Sequence, residues 1–235
     1  MPIGNTLHST MKKNTFLNKI LSHQVEKGDK PTLFYRGYLP HWQPLSATFF
    51  VTFRLKGAIP MNILNELIIQ KQELLAIAGN DKEEIYKANK RFFKLTEDYL
   101  DTNPNRPYWL KEPNNMAVVK EALHYRDGKV YTLYGYCVMS NHVHLLINTL
   151  ETNEDYLYKI MQDFKKRTGK LCNRHLDRTG NSFWEEEYYD HLVRDEKEFH
   201  NILNYIYNNP IKAKLVENGD DWEGTYIRAE RDANW

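Results

Sequence analysis

Two histidines spaced by one residue, and a tyrosine followed four residues later by an asparagine, are the groups best placed to do chemistry in this chain. In Tyr136-Cys137-Val138-Met139-Ser140-Asn141-His142-Val143-His144-Leu145-Leu146-Ile147, two apolar runs meet at His142 and His144. On a β-strand, residues two apart share a face. Both imidazoles then point one way, while Val143, Leu145 and Ile147 enter a core. Such a pair can hold one cation, but imidazole accepts many divalent metals, so the pair alone does not name the ion. Polar-out alternation on a half-covered sheet is the plain alternative. Further on, Phe199, Ile202, Leu203 and Ile206 recur at helical spacing and form an apolar stripe. At about 100° per residue, Tyr205 stands about 120° from Phe199 and so lies off the stripe. Asn209 shares a face with Tyr205 if the helix holds that far. A phenol and an amide would then lie side by side. With 16 tyrosines in the chain, packing is the default role of any one of them, and an asparagine before Pro210 is also an ordinary helix stop.

The elements that must position these groups follow from periodicity and punctuation. Residues Ala47 to Leu55 read as a strand with Phe49, Val51, Phe53 and Leu55 facing a core. A helix is expected from about Met61 to Ile77, and a second, capped by Asp81, to about Leu100 with Ala88, Phe92, Leu95 and Tyr99 as its stripe. Residues 103–107 read as a loop. A helix from Pro113 to about His124 precedes two strands, about Val130 to Met139 and His142 to Asn148, joined by Ser140-Asn141. Thr152 or Asn153 caps the next helix, whose stripe is Leu157, Ile160, Met161, Phe164 and Thr168. A short strand near Tyr188 to Val193 leads to the last helix, opened by Asp195 and Glu198 at capping-box spacing. Pro210 is expected to end it. This order fits an α+β sandwich.

Composition sets bounds. The 235 residues carry 27% charged and 41% hydrophobic residues, as in a soluble globular protein. No stretch approaches the ~20 apolar residues of a membrane span. The N-terminus lacks a signal-peptide core, so a cytoplasmic location is expected. Two cysteines, Cys137 and Cys172, are too few for a disulfide scaffold or a Cys-rich zinc site. A net charge of +1 does not advertise nucleic-acid binding. Charge is uneven, however: between Met161 and Gly180, Lys165, Lys166, Arg167, Lys170, Arg174 and Arg178 face only two acidic residues. Local patches are what meet phosphates. Cations near a helix end also suit the helix dipole.

The block Val138-Met139-Ser140-Asn141-His142-Val143-His144-Leu145-Leu146 resembles the signature of single-tyrosine HUH transposases, and more narrowly that of the REP-associated tyrosine transposases. Phe183-Trp184, Tyr189-Asp190-His191, Arg194-Asp195, Tyr205-Ile206 and Asn209-Pro210-Ile211-Lys212-Ala213 are similar to that group in order and spacing. So are Leu39-Pro40-His41-Trp42 and the strand Phe50-Val51-Thr52-Phe53-Arg54-Leu55. The resemblance spans roughly residues 33 to 217 and implies a catalytic domain over 31–217. A loosely ordered arm (1–30, with a short helix near Phe16 to Leu21) would precede it and a tail (218–235) would follow. The implied fold is the ferredoxin-like sandwich, with an antiparallel central sheet, helices on one face and a helical insertion near 80–110.

The same resemblance implies function. Tyr205 would be a nucleophile, and Asn209 would join His142 and His144 around Mg²⁺ or Mn²⁺. The reaction would be cleavage and rejoining of single-stranded DNA beside a hairpin, through a 5′-phosphotyrosine link. Lys165, Lys166, Arg167, Arg174 and Arg194 are the candidate phosphate contacts, and Trp42, Trp184 and Tyr189 the candidate stacking groups. His191 lies near the site strand, and Tyr207 is the alternative nucleophile. A monomer is expected, a swapped dimer being the alternative, with no membrane partner. A non-catalytic hairpin-binding protein is the competing function. A histidine-triad hydrolase would need a third histidine where Leu146 stands.

Overall fold

The computed structural model describes residues 32–36, 40–102, 106–150 and 156–228. The expected arm, the Thr152/Asn153 cap and the tip of the 103–107 loop lie outside these residues. In chain order, β1 (Thr32–Arg36) and β2 (Pro40–Pro44) pair as a separate antiparallel hairpin. Then come β3 (Thr48–Arg54), α1 (Met61–Ala78), α2 (Lys82–Thr102), α3 (Pro113–Arg126), β4 (Tyr131–Val138), β5 (His142–Thr149), α4 (Leu157–His175), β6 (Tyr189–Leu192), α5 (Glu196–Lys212) and β7 (Thr225–Ile227).

The five-stranded sheet has the order β6-β3-β5-β4-β7, and every pair is antiparallel. Without β7, the fourth strand of the β-α-β-β-α-β unit lies beside the first and the third beside the second, which is the expected ferredoxin-like sandwich. Alternation assigns its faces. Phe49, Val51 and Phe53 of β3 and Val143, Leu145 and Ile147 of β5 join Val119 and Leu123 of α3 and Ile160, Met161 and Phe164 of α4 in one core. Truncating a fully buried member such as Leu133 should cost ~2–5 kcal/mol.

The opposite face carries Phe50 and Leu146, and α5 packs there through Phe199 and Ile206. Phe93 of α2 packs beside them. The predicted helical insertion is therefore larger than the 80–110 stretch: the α1–α2 pair, residues 61–102, stands between the first strand of the unit and its first helix.

Two termini differ from expectation. Pro210 lies inside α5, which runs on to Lys212. Proline removes one donor, but its fixed φ is helical and only the last turn follows it. The Ala213 N–H donates to the Asn209 carbonyl at 3.0 Å, and the Leu215 N–H to the Pro210 carbonyl at 2.9 Å. Burial of both Asn209 and Pro210 holds this turn in place. The expected tail is also partly built in, since β7 pairs with β4 at the sheet edge.

Candidate metal and nucleophile site

His142 and His144 sit on β5, a central strand, and are 1% and 0% exposed. Register places His142 opposite Arg54 and His144 opposite Thr52 on β3. Their Nε2 atoms face each other at 3.0 Å. Each Nδ1 is held from behind: His142 by the Asn141 Oδ1 at 2.6 Å, His144 by the Thr52 Oγ1 at 2.8 Å. An amide oxygen only accepts, so His142 carries its hydrogen on Nδ1 and offers a lone pair at Nε2. Burial pulls the His142 pKa down to about 3, against the opposing pull of Glu97. The Asn141 Nδ2 donates in turn to the Leu100 carbonyl at 3.1 Å, which ties the site to α2.

Glu97, on α2, is the group the sequence reading missed. Its Oε2 lies 3.0 Å from the His144 Nε2 and 3.9 Å from the His142 Nε2. It accepts a hydrogen bond from the Tyr205 hydroxyl at 2.6 Å. Burial alone would raise this carboxyl, but His144, His142 and the Tyr205 bond outweigh it and hold the pKa to about 2. A signal was present. Phe93, Glu97 and Leu100 fall at i, i+4 and i+7, so a carboxylate interrupts an apolar face.

Tyr205 and Asn209 come where the helix geometry put them. Tyr205 is half-buried on α5, its ring edge-on to His144 (centroids 5.1 Å apart) and to Phe50 (5.8 Å). Burial and the neighbouring Glu97 push its phenol well above the usual tyrosine range. Asn209 is 1% exposed, and neither its oxygen nor its nitrogen has a hydrogen-bond partner. The Glu97 Oε1 is likewise buried without one.

These observations fit a hard divalent cation. Two ligands at right angles, each ~2.1 Å from an octahedral ion, lie about 3.0 Å apart. That is the spacing of the two Nε2 atoms and of the His144 Nε2 and the Glu97 Oε2. Glu97, His142 and His144 could therefore hold a metal ion. Lone pairs facing each other in a buried site, and an amide with nothing to bond, are what a cation would satisfy.

The remaining candidates divide. Helix α4 packs on the face opposite the histidines, so Lys165, Lys166, Arg167 and Arg174 do not join the site. The Lys165 Nζ donates to the carbonyls of Glu185 and Glu186. Lys166, Arg167 and Arg174 are exposed. Arg194, also exposed, lies on the site face and is paired with Glu198. Trp184 is buried and donates to Thr168, which makes it core, and nothing is described of the Trp42 side chain. Tyr189 rests on Phe93 with centroids 4.5 Å apart. His191 bonds Glu198. Tyr207 bonds Asn218, away from the histidines. Among the described residues, no helix is long and apolar enough to cross a membrane.

Known proteins resemble this chain over part of its length. The family described as "Transposase IS200 like" matches residues 109–209. A curated relative from Haemophilus influenzae, provisionally named a REP-associated tyrosine transposase, is 33% identical over 93 residues, covering 37% of this chain and 53% of the relative. The REP-associated tyrosine transposase of Escherichia coli K12 is 23% identical over 97 residues, covering 41% of this chain and 54% of that protein. The matches thus span about half the length of these relatives. A solved structure of a REP-associated tyrosine transposase bound to a REP hairpin is 14% identical, with a TM-score of 0.49 over 81% of this chain and 82% of that one. The matched segment contains His142, His144, Tyr205 and Asn209, whereas Thr52 and Glu97 lie outside it. Residues 109–209 thus match the IS200-like transposase family, and the chain is similar to the REP-associated tyrosine transposases.

Proposed function

We propose that this protein cuts and rejoins single-stranded DNA beside a hairpin, with Tyr205 as nucleophile and a divalent cation, Mg²⁺ or Mn²⁺, at the histidine pair. The observation that carries the reading is the Tyr205 hydroxyl bonded to Glu97, whose same oxygen lies 3.0 Å from the His144 Nε2. Glu97, His142, His144 and the amide oxygen of Asn209 would hold the ion. Once bound, it would neutralise charge developing on the phosphoryl oxygens.

The chain's own groups do the rest. The Tyr205 oxygen forms a bond to phosphorus, and the bond from phosphorus to the 3′ oxygen breaks. The hydrogen bond to Glu97 orients the hydroxyl, the phenolic proton is lost to water as the bond forms, and the departing 3′ oxygen takes a proton from water. The strand is left as a 5′-phosphotyrosine link and a free 3′-hydroxyl, and attack by a hydroxyl on the link reverses the steps without an energy source. A protonated phenol is a weak nucleophile, so proton removal during attack is required. The groove leading to Tyr205, a cavity of about 450 Å³, is lined by Tyr86, Lys90, Phe93, Tyr189, Arg194 and Lys197 among others. Aromatic faces and cations together suit an unpaired strand. Lys166, Arg167 and Arg174, on the far face, are proposed only as contacts to a duplex stem.

A second reading, hairpin binding without cleavage, is favoured by the closure of the site. His142, His144 and Glu97 are each at most 1% exposed beneath α2, so a phosphodiester reaches them only if α2 shifts. The test is a labelled hairpin oligonucleotide from DNA flanking the gene, incubated with Mn²⁺ or Mg²⁺ and with wild-type or Tyr205→Phe protein. A covalent protein–DNA adduct is expected with wild type and metal only. Cleavage that survives in Tyr205→Phe would remove Tyr205 as nucleophile. Tight binding without any cleavage would establish the second reading.

A further inference from the structure

Arg54 is a half-buried cationic group that the reaction above leaves unused. It follows Thr52 by two on β3, shares the site face and pairs in register with His142. Its Nε is buried and has no hydrogen-bond partner. Among the described residues its guanidinium makes no ion pair, although Glu185, Glu187 and Glu97 are near enough to offset in part the burial that lowers its pKa. A buried Nε–H without a partner is costly, so the placement of this guanidinium suits an acceptor that arrives from outside.

Such an acceptor has room. A cavity of about 260 Å³ lies between α1, α2 and β3, with Arg54 in its wall and Glu97 at its inner end. Met61, Leu64, Phe92 and Phe93 give it flat apolar sides, and Thr52 and Thr96 add hydroxyls. Glu186 and Glu187 line it as well. These carboxylates repel a phosphate but accept from ring N–H and amino groups. Tyr205 is not among its walls, and the groove that holds Tyr205 shares only Phe93 and Tyr189 with it. The two spaces are therefore distinct: Glu97 lines this one and Tyr205 the other.

We propose that this cavity is a nucleobase pocket in which Arg54 binds the O6–N7 edge of a guanine. The guanine would belong to the strand that Tyr205 attacks, so the inference rests on the DNA-cutting reading. Three arguments select this ligand. Paired acceptors on one base edge match the guanidinium fork, and this is the commonest specific arginine–base contact. Adenine would instead turn an amino donor toward the arginine. The carboxylates of Glu186 and Glu187 in the same wall suit the ring N–H and amino donors on guanine's other edge.

The test uses a pool of random-sequence single-stranded DNA with Mn²⁺ and full-length Tyr205→Phe protein, which would retain strands without cutting them. The same selection is run with Arg54→Lys added, a change that keeps the charge and loses the fork. The expected result is one position enriched in guanine with Arg54 and unbiased with lysine. Replacing that guanine by 7-deazaguanine should weaken binding roughly ten-fold to the Arg54 protein only. This second arm needs no change to the protein's core. A guanine preference that persists in Arg54→Lys overturns the proposal. So does an equal loss of affinity across all sequences, which would make Arg54 a phosphate contact. If neither protein retains any DNA, and wild type forms no adduct, the DNA-cutting reading itself fails and the pocket with it. Strands retained and cut without any base preference sink the pocket alone.

Discussion

Replacing Glu97 by glutamine changes one oxygen to nitrogen with almost no change in volume. In the cation-free protein one oxygen, Oε2, meets both the Tyr205 hydroxyl at 2.6 Å and the His144 Nε2 at 3.0 Å, so the glutamine keeps only one of the two contacts: its oxygen accepts from Tyr205 or its nitrogen donates to His144. Stability in the presence of EDTA should therefore fall by the ~1–3 kcal/mol of one lost buried contact, and the Mn²⁺ response is read against each protein's own EDTA baseline. The cation-loaded protein should differ, since a neutral oxygen replaces a carboxylate as ligand. If Mn²⁺ binding weakens ~10-fold, the stabilisation gained at saturating Mn²⁺ falls by ~1.4 kcal/mol. At ~2–4 °C per kcal/mol for a chain of this size, the Mn²⁺-induced rise in Tm should shrink by about 3–6 °C. Thermal denaturation across a Mn²⁺ titration, with calorimetric titration for affinity, measures both quantities. An identical Mn²⁺ response in wild type and Glu97→Gln, with the response abolished in His144→Ala, would show that Glu97 is not a ligand.

Three further outcomes follow from the same contacts. Tyr205→Phe should bind Mn²⁺ as wild type does and form no covalent adduct, while losing ~1–3 kcal/mol in urea denaturation because a buried carboxylate loses its donor. Thr52→Val removes the hydroxyl behind His144 and should weaken Mn²⁺ binding ~10–100-fold by calorimetry, without touching the ion. In EDTA, stability should fall as pH drops. The unfolded chain protonates His142 near the ordinary histidine value of 6.5 but the folded chain only near about 3, so stability is lost across that window as pH falls. Glu97 acts in the same direction between 4.5 and about 2. Melting that is flat between neutral pH and the lower end of these windows would contradict the burial argument.

Much of the scaffold was legible because its signals are local. Alternation in Phe49, Val51 and Phe53 and in Val143, Leu145 and Ile147 named the sheet's inner face, and all of these are buried. The Asp195 cap is formed, its side chain accepting from the Glu198 N–H at 2.8 Å. The Asp81 side chain caps α2 in the same way. Tyr205 was separable from the stripe by angle alone. What escaped depends on contacts distant in sequence. Glu97 reaches His144 only because α2 folds across the sheet, which no window of helical periodicity reports. Lys165 looked like a phosphate contact from its charge, yet the fold turns its amine onto the carbonyls of Glu185 and Glu186. Pro210 reads as a stop by local rule, and burial of the turn overrides that rule.

The cluster draws on β3, α2, β5 and α5, so its members run from Thr52 to Asn209 in the chain. Contacts of such sequence separation form late, after the loops between them have closed. A growing polypeptide on the ribosome holds the imidazole pair long before the helix bearing the phenol has been synthesised. Prematurely terminated or proteolytically clipped products lacking that last helix would be chemically silent toward DNA. The proposed nicking activity would be released only by a folded molecule that includes this helix, a safeguard that comes from chain order alone.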